Sequence, residues 1–147
     1  MIQCIYKVKE TKGKVKVLKM KTRILDKIEF NYELAKNPKS KRFTSNHDIY
    51  DCVIKYNGKK YNFEFQTNTS AVGEPKLSEV IECLVSDMGF YEQSRDILDF
   101  AYELGYEPKS AECRKAWDGC KRTAKAFHRL FSDEELGMID DDLFYNC

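Results

Sequence analysis

The dipeptide Asn57-Gly58, which lies between two alternating runs of apolar and polar residues, constrains the fold of this chain more than any other feature. Both residues tolerate positive φ, as the two-residue type I′ turn requires if it is to match the twist of the flanking strands. The turn fixes the register and pairs Tyr56 with Lys59 and Ile54 with Tyr61. One face of the resulting hairpin is apolar and consists of Tyr50, Cys52, Ile54, Tyr61, Phe63 and Phe65.

A sheet with one apolar face needs a cover, and the segment after the hairpin predicts an amphipathic helix. Pro75 suits the first turn of that helix, and Gly89 suits its C-terminal end. The apolar stripe recurs at helical spacing and comprises Leu77, Val80, Ile81, Leu84, Val85 and Met88. We therefore expect this helix to pack on the hairpin.

Three further alternating runs predict strands upstream of the central hairpin. Residues 2–9 and the run through 15–17 form a hairpin around Lys12-Gly13. The alternation at 28–34 predicts another strand, which stops near Asn37-Pro38 because proline cannot donate to a sheet. Together with the central hairpin, four to five strands are expected before residue 67.

The second half of the chain predicts helices. Ser94 and Gly105 are expected to cap the two ends of one helix. Pro108 and Ser110 open the longest helix, and Ser132-Asp133-Glu134-Glu135 forms a capping box for a last short one. The expected apolar stripe of the first of these helices is Ile97, Leu98, Ala101 and Leu104. That of the longest helix is Cys113, Ala116, Trp117, Cys120, Ala124, Phe127 and Phe131.

Strands first and helices afterwards are typical of the α+β class. We predict one domain over residues 1–147, in which an antiparallel sheet of four to five strands packs against a C-terminal three-helix unit. Residues 1–66 are mainly β and basic, and residues 75–147 are mainly α and acidic. No apolar run is long enough to span a membrane, and the charged N-terminus lacks a signal-peptide core. A soluble cytoplasmic protein is expected.

Charge is distributed very unevenly along the chain. Residues 1–60 contain 16 Lys and Arg against 6 Asp and Glu, whereas residues 61–147 contain 9 against 18, and the net charge is only +1. The asymmetry fits a basic face for an anionic partner together with an acidic face for a basic one. It fits equally well two halves that complement each other.

Two sets of charged residues are therefore candidate interfaces. Carboxylates that could mimic a nucleic acid are Glu79, Glu82, Asp87, Glu92, Asp96, Asp99, Glu103, Asp140, Asp141 and Asp142. Cations that could contact nucleic acid are Lys39, Lys41, Arg42, Lys59, Lys60, Arg114, Arg122 and Arg129. The first three belong to a basic stretch, residues 36–47, that also fits a solvated loop. Residues 140–142 are expected on a surface tail unless that tail docks.

Motifs for catalysis are absent, since the sequence contains no GxSxG, no GxxxxGK[ST] and no GxGxxG. With two histidines, a general base is scarce, so we expect neither an enzyme nor a cofactor. The six cysteines lack CxxC spacing. A zinc site from Cys83, Cys113, Cys120 and His128 is conceivable, but packing of Cys113 and Cys120 in the helix core is favoured, and we predict no metal.

An ordered series of short motifs runs from Lys59 to about Phe131. It consists of Phe63-x-Phe65, Glu74-Pro75, Val80-Ile81-x-Cys83-Leu84, Asp87, Leu98-x-Phe100, Leu104-Gly105-Tyr106, Cys113 with Ala116, and Leu130-Phe131. In this order, which covers about half of the chain, the protein resembles small proteins encoded by phages, prophages and plasmids. The resemblance implies a host-takeover or anti-defence factor, anti-CRISPR inhibitors included, that acts in the bacterial host cell.

These observations lead to one hypothesis and two rivals. The leading hypothesis is a non-enzymatic inhibitor that binds a bacterial defence effector, such as a Cas nuclease, and occludes its nucleic-acid site. The first rival is a nucleic-acid-binding accessory protein that uses the basic sheet and loop. The second is a phage structural or assembly protein that self-associates through sheet edges. The sequence leaves the oligomeric state open.

Overall fold

The computed structural model describes residues 7–11, 14–18, 23–40, 48–67 and 73–144. Its strands are β1 (Lys7–Thr11), β2 (Lys14–Leu18), β3 (Glu29–Leu34), β4 (Ile49–Tyr56) and β5 (Lys59–Gln66). Its helices are α1 (Leu77–Gln93), α2 (Ile97–Leu104), α3 (Ala111–Leu130) and α4 (Asp133–Phe144), and a 3-10 turn, Ile24–Lys27, precedes β3. The predicted α+β class is confirmed. None of the helices in these ranges is both long and apolar enough to cross a bilayer.

The strands divide between two sheets, so the prediction of one sheet with four to five strands is wrong. Within the described ranges, β1 pairs only with β2, and a separate antiparallel sheet has the order β3-β4-β5. Each of these pairings joins strands that follow one another along the chain, and alternation in a sequence does not tell which strands will pair beyond such neighbours. Residues 2–6 of the first predicted strand and the turn Lys12-Gly13 lie outside the described residues.

The central hairpin has the predicted geometry. Asn57 and Gly58 have φ of 52° and 77°, and the register pairs Tyr56 with Lys59 and Ile54 with Tyr61. Ile54 is fully buried. The apolar face of the hairpin therefore forms one side of the main core, as expected.

Helix α1 contributes to the same core, but it ends later than predicted. Val80 and Ile81 are fully buried in the cluster that also contains Ile54. Gly89 lies inside the helix, and Ser94 caps its C-terminus instead. The helix continues past Gly89 because Tyr91 packs on Trp117 of α3 with ring centroids 4.7 Å apart, and this tertiary contact outweighs the weak helix preference of glycine.

A second apolar cluster lies between α2 and the first half of α3. Here Asp96, rather than Ser94, is the N-cap of α2, and Gly105 ends the helix at φ 77° as predicted. Leu98 was expected in the core but is 58% exposed, whereas Phe100, absent from the predicted stripe, is fully buried. The short helix turns its Phe100 face toward Trp117 and Tyr106.

The C-terminal helices number four within the described residues, so the three-helix unit is also corrected. Ser110 caps α3 by accepting from the Cys113 backbone N–H at 3.0 Å. The capping box before α4 is present, since Glu135 accepts from Ser132 N and Ser132 Oγ accepts from Glu135 N. Helix α4 continues to Phe144, so residues 140–142 are helical and do not form a tail.

Candidate functional site

The basic side of α3 brings several cations together on one face of a helix. Six of the nine Lys and Arg residues in the second half of the sequence lie on this helix. They occupy the side opposite its buried stripe. We call Arg114, Lys115, Lys121, Arg122, Lys125 and Arg129 the α3 basic face.

Hydrogen bonds attach both ends of the α3 basic face to the neighbouring chain. At one end, Arg129 Nη2 donates to the carbonyl of Lys60 at 2.7 Å, and Lys59 Nζ donates to the carbonyl of Arg129 at 3.0 Å. At the other end, Lys115 Nζ donates to the carbonyl of Lys39 at 3.1 Å. These bonds fix the cations at the two ends and bring Lys39, Lys59 and Lys60 beside α3.

A carboxylate on β5 holds the Lys39 segment in place. Glu64 accepts from the backbone N–H groups of Lys39 and Ser40 at 2.7 and 2.8 Å. Burial alone would raise the pKa of Glu64, but hydrogen bonds from Ser40 and Lys39 outweigh it, so the pKa is lowered. The ionised carboxylate therefore holds the backbone of Lys39 and Ser40 against β5.

Helix α3 runs antiparallel to β5, an edge strand of the three-stranded sheet. Lys60 near the start of β5 contacts Arg129, Tyr61 OH lies 2.9 Å from Thr123 Oγ1, and Glu64 holds the segment that Lys115 reaches. Because Tyr56 and Lys59 flank a two-residue turn, the backbone groups of Lys60 point away from β4. Arg129 therefore donates a hydrogen bond to a carbonyl on the outer edge of β5.

In the part of the chain that the structure describes, the cations beside β5 form no ion pairs with carboxylates. Within the described residues, the ion pairs join Arg23 to Asp26, Arg95 to Asp99, and His128 to Glu92 and Asp133. None of them includes Lys59, Lys60 or a member of the α3 basic face. Asp118 lies on the same side of the helix but within ion-pair distance of none of these cations. Among the described residues, this surface therefore keeps an excess of positive charge.

Several of the candidate carboxylates serve the fold instead. Asp96 accepts from the Asp99 N–H at 2.9 Å, and Asp99 accepts from the Arg95 N–H at 3.1 Å. Asp142 accepts from the N–H groups of Ile24 and Leu25 at 2.7 and 3.4 Å. These three side chains cap backbone groups, so they are not available as a free acidic surface.

Two further candidates are also engaged. Asp87 is half-buried, and burial raises its pKa to about 6. Glu92 contacts Nε2 of His128. The candidates that remain exposed without a partner in the described residues are Glu79, Glu82, Glu103, Asp140 and Asp141. They are distributed over α1, α2 and α4.

Most of the predicted basic candidates do come together. Lys39, Lys59, Lys60, Arg114, Arg122 and Arg129 lie along α3 and its contacts. Lys41 and Arg42 lie outside the described residues. The sequence candidates omitted Lys115, Lys121 and Lys125. Lys115, Arg122 and Arg129 recur every seven residues, and this spacing could have shown that they form one row.

The cysteines of α3 pack as predicted. Cys113 is fully buried and Cys120 is 8% exposed, and burial raises the pKa of Cys120 to about 12. A thiol with so high a pKa is a poor nucleophile and a poor ligand. In the parts of the chain that the structure describes, no group of three or more His, Cys, Asp and Glu is placed to hold a metal.

An exposed apolar pair lies on α2. Leu98 is 58% exposed and Tyr102, one turn later, is 86% exposed. Glu103 is exposed beside Tyr102, and Arg95 precedes the helix. Aromatic side chains that are exposed in this way are frequent anchors of protein interfaces.

Comparison of the chain with family models, with curated proteins and with solved structures found no match. The function must therefore be inferred from the residues of the chain itself. Two surfaces are distinct enough to be considered, namely the α3 basic face with its β5 contacts and the exposed Leu98 and Tyr102 pair.

Proposed function

We propose that this chain is a non-enzymatic nucleic-acid-binding accessory protein that holds a phosphate backbone along α3 and the start of β5. One observation carries the proposal. The α3 basic face and Lys59 and Lys60 provide eight cations, none of which is ion-paired within the described residues. A surface with an excess of cations attracts a polyanion, and the counterions of the polyanion are released on binding.

The length of the row matches a nucleic-acid strand. Lys115 and Arg129 are two ends of a row on an α-helix, and a rise of 1.5 Å per residue separates them by about 21 Å. A strand of B-DNA carries one phosphate per 3.4 Å of helix axis, so the row spans roughly six phosphates. Contacts of this kind position a protein on the backbone and carry no sequence information directly. Binding with little sequence preference follows.

The proposal is tested by removing the row of cations. A K115Q/R122Q/R129Q variant is compared with a K76Q/R95Q/K109Q variant, which removes the three cations of the same half that lie outside α3. Fluorescence anisotropy with a labelled duplex and a labelled single strand measures affinity at about 0.1 M salt. Loss of three phosphate contacts predicts about a hundredfold weaker binding for the first variant.

The control variant should bind within about threefold of the unmodified protein, since contact charges act over roughly one Debye length. Circular dichroism confirms that both variants are folded. Equal losses in the two variants would mean that only net charge matters and would contradict a defined site on α3.

A second candidate function is inhibition of a bacterial defence effector, and the exposed pair on α2 favours it. Leu98 and Tyr102 offer an apolar anchor, and the exposed carboxylate of Glu103 flanks it. A partner with a basic rim around an apolar pocket would complement this surface. The nucleic-acid channel of an effector such as a Cas nuclease has the required charge.

This second candidate predicts a protein partner that does not depend on nucleic acid. The tagged chain is used in a pull-down from a bacterial lysate that contains a CRISPR effector, with and without nuclease treatment. Recovery of the effector after nuclease, lost in an L98A/Y102A variant but retained in F144A, supports inhibition. Phe144 is a fair control because it is 53% exposed on a different helix. Recovery that disappears with nuclease contradicts this candidate.

A further inference from the structure

A depression opens between the end of β5 and the start of α1, well separated in the chain from the residues of α3. Its volume is about 270 Å³. The side chains that line it are those of Phe65, Thr67, Glu74, Pro75, Lys76 and Glu79. Neither the proposed nucleic-acid function nor its rival assigns a role to this depression.

One of the two carboxylates is held in position from the sheet. The hydroxyl of Tyr32 on β3 donates to Glu74 Oε2 at 2.7 Å. This bond, more than burial, raises the pKa of Tyr32. Glu79, on the first turn of α1, is exposed and has no partner within the described residues. Glu74 is therefore oriented before any ligand arrives, while Glu79 remains free to respond.

Thr67 brings a nearly buried side chain with a hydroxyl group to the lining of the depression. Thr67 is only 8% exposed, and its backbone N–H donates to the carbonyl of Asp48 at 3.0 Å. Its side chain has no hydrogen-bond partner within the described residues. No fully enclosed side-chain oxygen or nitrogen there lacks a partner, so the small accessible part of Thr67 must include the hydroxyl. Thr67 lines the depression, which is where a ligand atom could reach it.

We propose that this depression binds a guanidinium group. The planar cation can hydrogen-bond to a carboxylate with two parallel N–H groups and stack on an aromatic ring, here Phe65. Among the described lining residues, Lys76 supplies the single positive charge against Glu74 and Glu79, so this part of the lining remains negative. The group could belong to a small molecule or to an arginine side chain of a polypeptide, because the chemistry is the same.

The test is a titration followed by ¹H–¹⁵N correlation spectra of the full chain. Methylguanidinium represents the small molecule, blocked Gly-Arg-Gly represents the polypeptide source, and blocked Gly-citrulline-Gly is the neutral control. We expect saturable shifts at the amides of Thr67, Glu74 and Glu79 with a guanidinium probe. Saturation with both probes indicates a site for the group alone, whereas saturation with the peptide only indicates a polypeptide partner.

Matched variants decide whether the carboxylates are responsible. Glu74→Gln and Glu79→Gln should each weaken binding by about tenfold, because each removes a charge-assisted hydrogen bond. Glu82→Gln, an exposed carboxylate one turn further along α1 and outside the depression, should change it by less than about twofold. Shifts that do not saturate, that citrulline reproduces, or that Glu82→Gln reduces as much as Glu79→Gln would overturn the proposal.

Discussion

The α3 basic face contains six cations and the candidate acidic set contains ten carboxylates, and the fold uses the two groups differently. The cations on α3 donate at most to backbone carbonyls and form no ion pairs within the described residues. Asp96, Asp99 and Asp142 are occupied as acceptors for backbone N–H groups. A count of charges in the sequence therefore overestimates the acidic surface more than the basic one.

The difference has a simple physical origin. The first N–H groups of each helix lack partners within the helix, and Asp and Glu side chains can accept from them. Lys and Arg cannot serve this purpose, since they carry donors alone. In the described residues, carboxylates therefore accept from backbone N–H groups, whereas Lys and Arg donate to backbone carbonyls. We therefore expect that replacing a capping carboxylate lowers the stability of the fold. Replacing a cation of the α3 basic face should instead weaken nucleic-acid binding.

The largest expected effect on stability is at Asp142. Asp142→Ala removes the acceptor for two N–H groups of the 3-10 turn and should lower the free energy of unfolding by about 2 kcal/mol. Urea unfolding followed by circular dichroism measures this. Asp141→Ala, at the exposed neighbouring position, should change stability by less than about 0.5 kcal/mol. If the two variants were equally stable, Asp142 would not be a structural cap.

Asp87, one of the candidate carboxylates, should destabilise the folded chain when it is ionised. Its pKa in the folded chain is raised to about 6 from 3.8 by burial, so the native state binds the proton more tightly than the unfolded state. Stability is therefore lost as pH rises from about 4 to 6 and stays low above that range. The full shift corresponds to about 3 kcal/mol, and partial exposure reduces this to about 1 to 2 kcal/mol.

Asp87→Asn keeps the neutral form at every pH. It should raise the free energy of unfolding by about 1 to 2 kcal/mol at pH 7.5 and leave it unchanged near pH 3.5, where the unmodified carboxyl is also protonated. Glu82→Gln on the same helix serves as the exposed control. A stabilisation that does not depend on pH would show that burial of the charge is not the cause.

A substitution at Gly119 on α3 should change stability slightly and leave nucleic-acid binding unchanged. A Cβ at Gly119 would lie 3.7 Å from Nη2 of Arg122, an ordinary contact distance. Gly119→Ala should therefore stabilise the helix by about 0.5 to 1 kcal/mol and leave nucleic-acid affinity within about twofold. Thermal unfolding and anisotropy report the two quantities. Weaker binding without a change in stability would show that Arg122 needs the open space above Gly119.

Local sequence signals predicted the elements that depend on local geometry. Asn57-Gly58 determined the hairpin and its register, and Ser132 with Glu135 determined the start of α4. Gly89 and Leu98 misled the prediction, because contacts from α3 decide where α1 ends and which side of α2 is buried. Such contacts join residues far apart in the chain, and no local pattern encodes them.

The same distinction applies to the sites. Lys115, Arg122 and Arg129 could be recognised from their seven-residue spacing, since they lie on one helix. The pairing of Glu74 with Tyr32 and of Asp142 with Ile24 spans 42 and 118 residues. Neither could be read from the sequence, because each depends on how the elements pack.

The salt dependence of nucleic-acid binding by the unmodified chain decides whether α3 contacts phosphates. Three to five phosphate contacts along α3 predict that the logarithm of the affinity for a duplex falls by about 3 to 5 for each tenfold increase in salt. Anisotropy between about 50 and 300 mM salt gives this slope. A flat dependence, or no binding at about 50 mM salt, would contradict a phosphate-binding role for the α3 basic face.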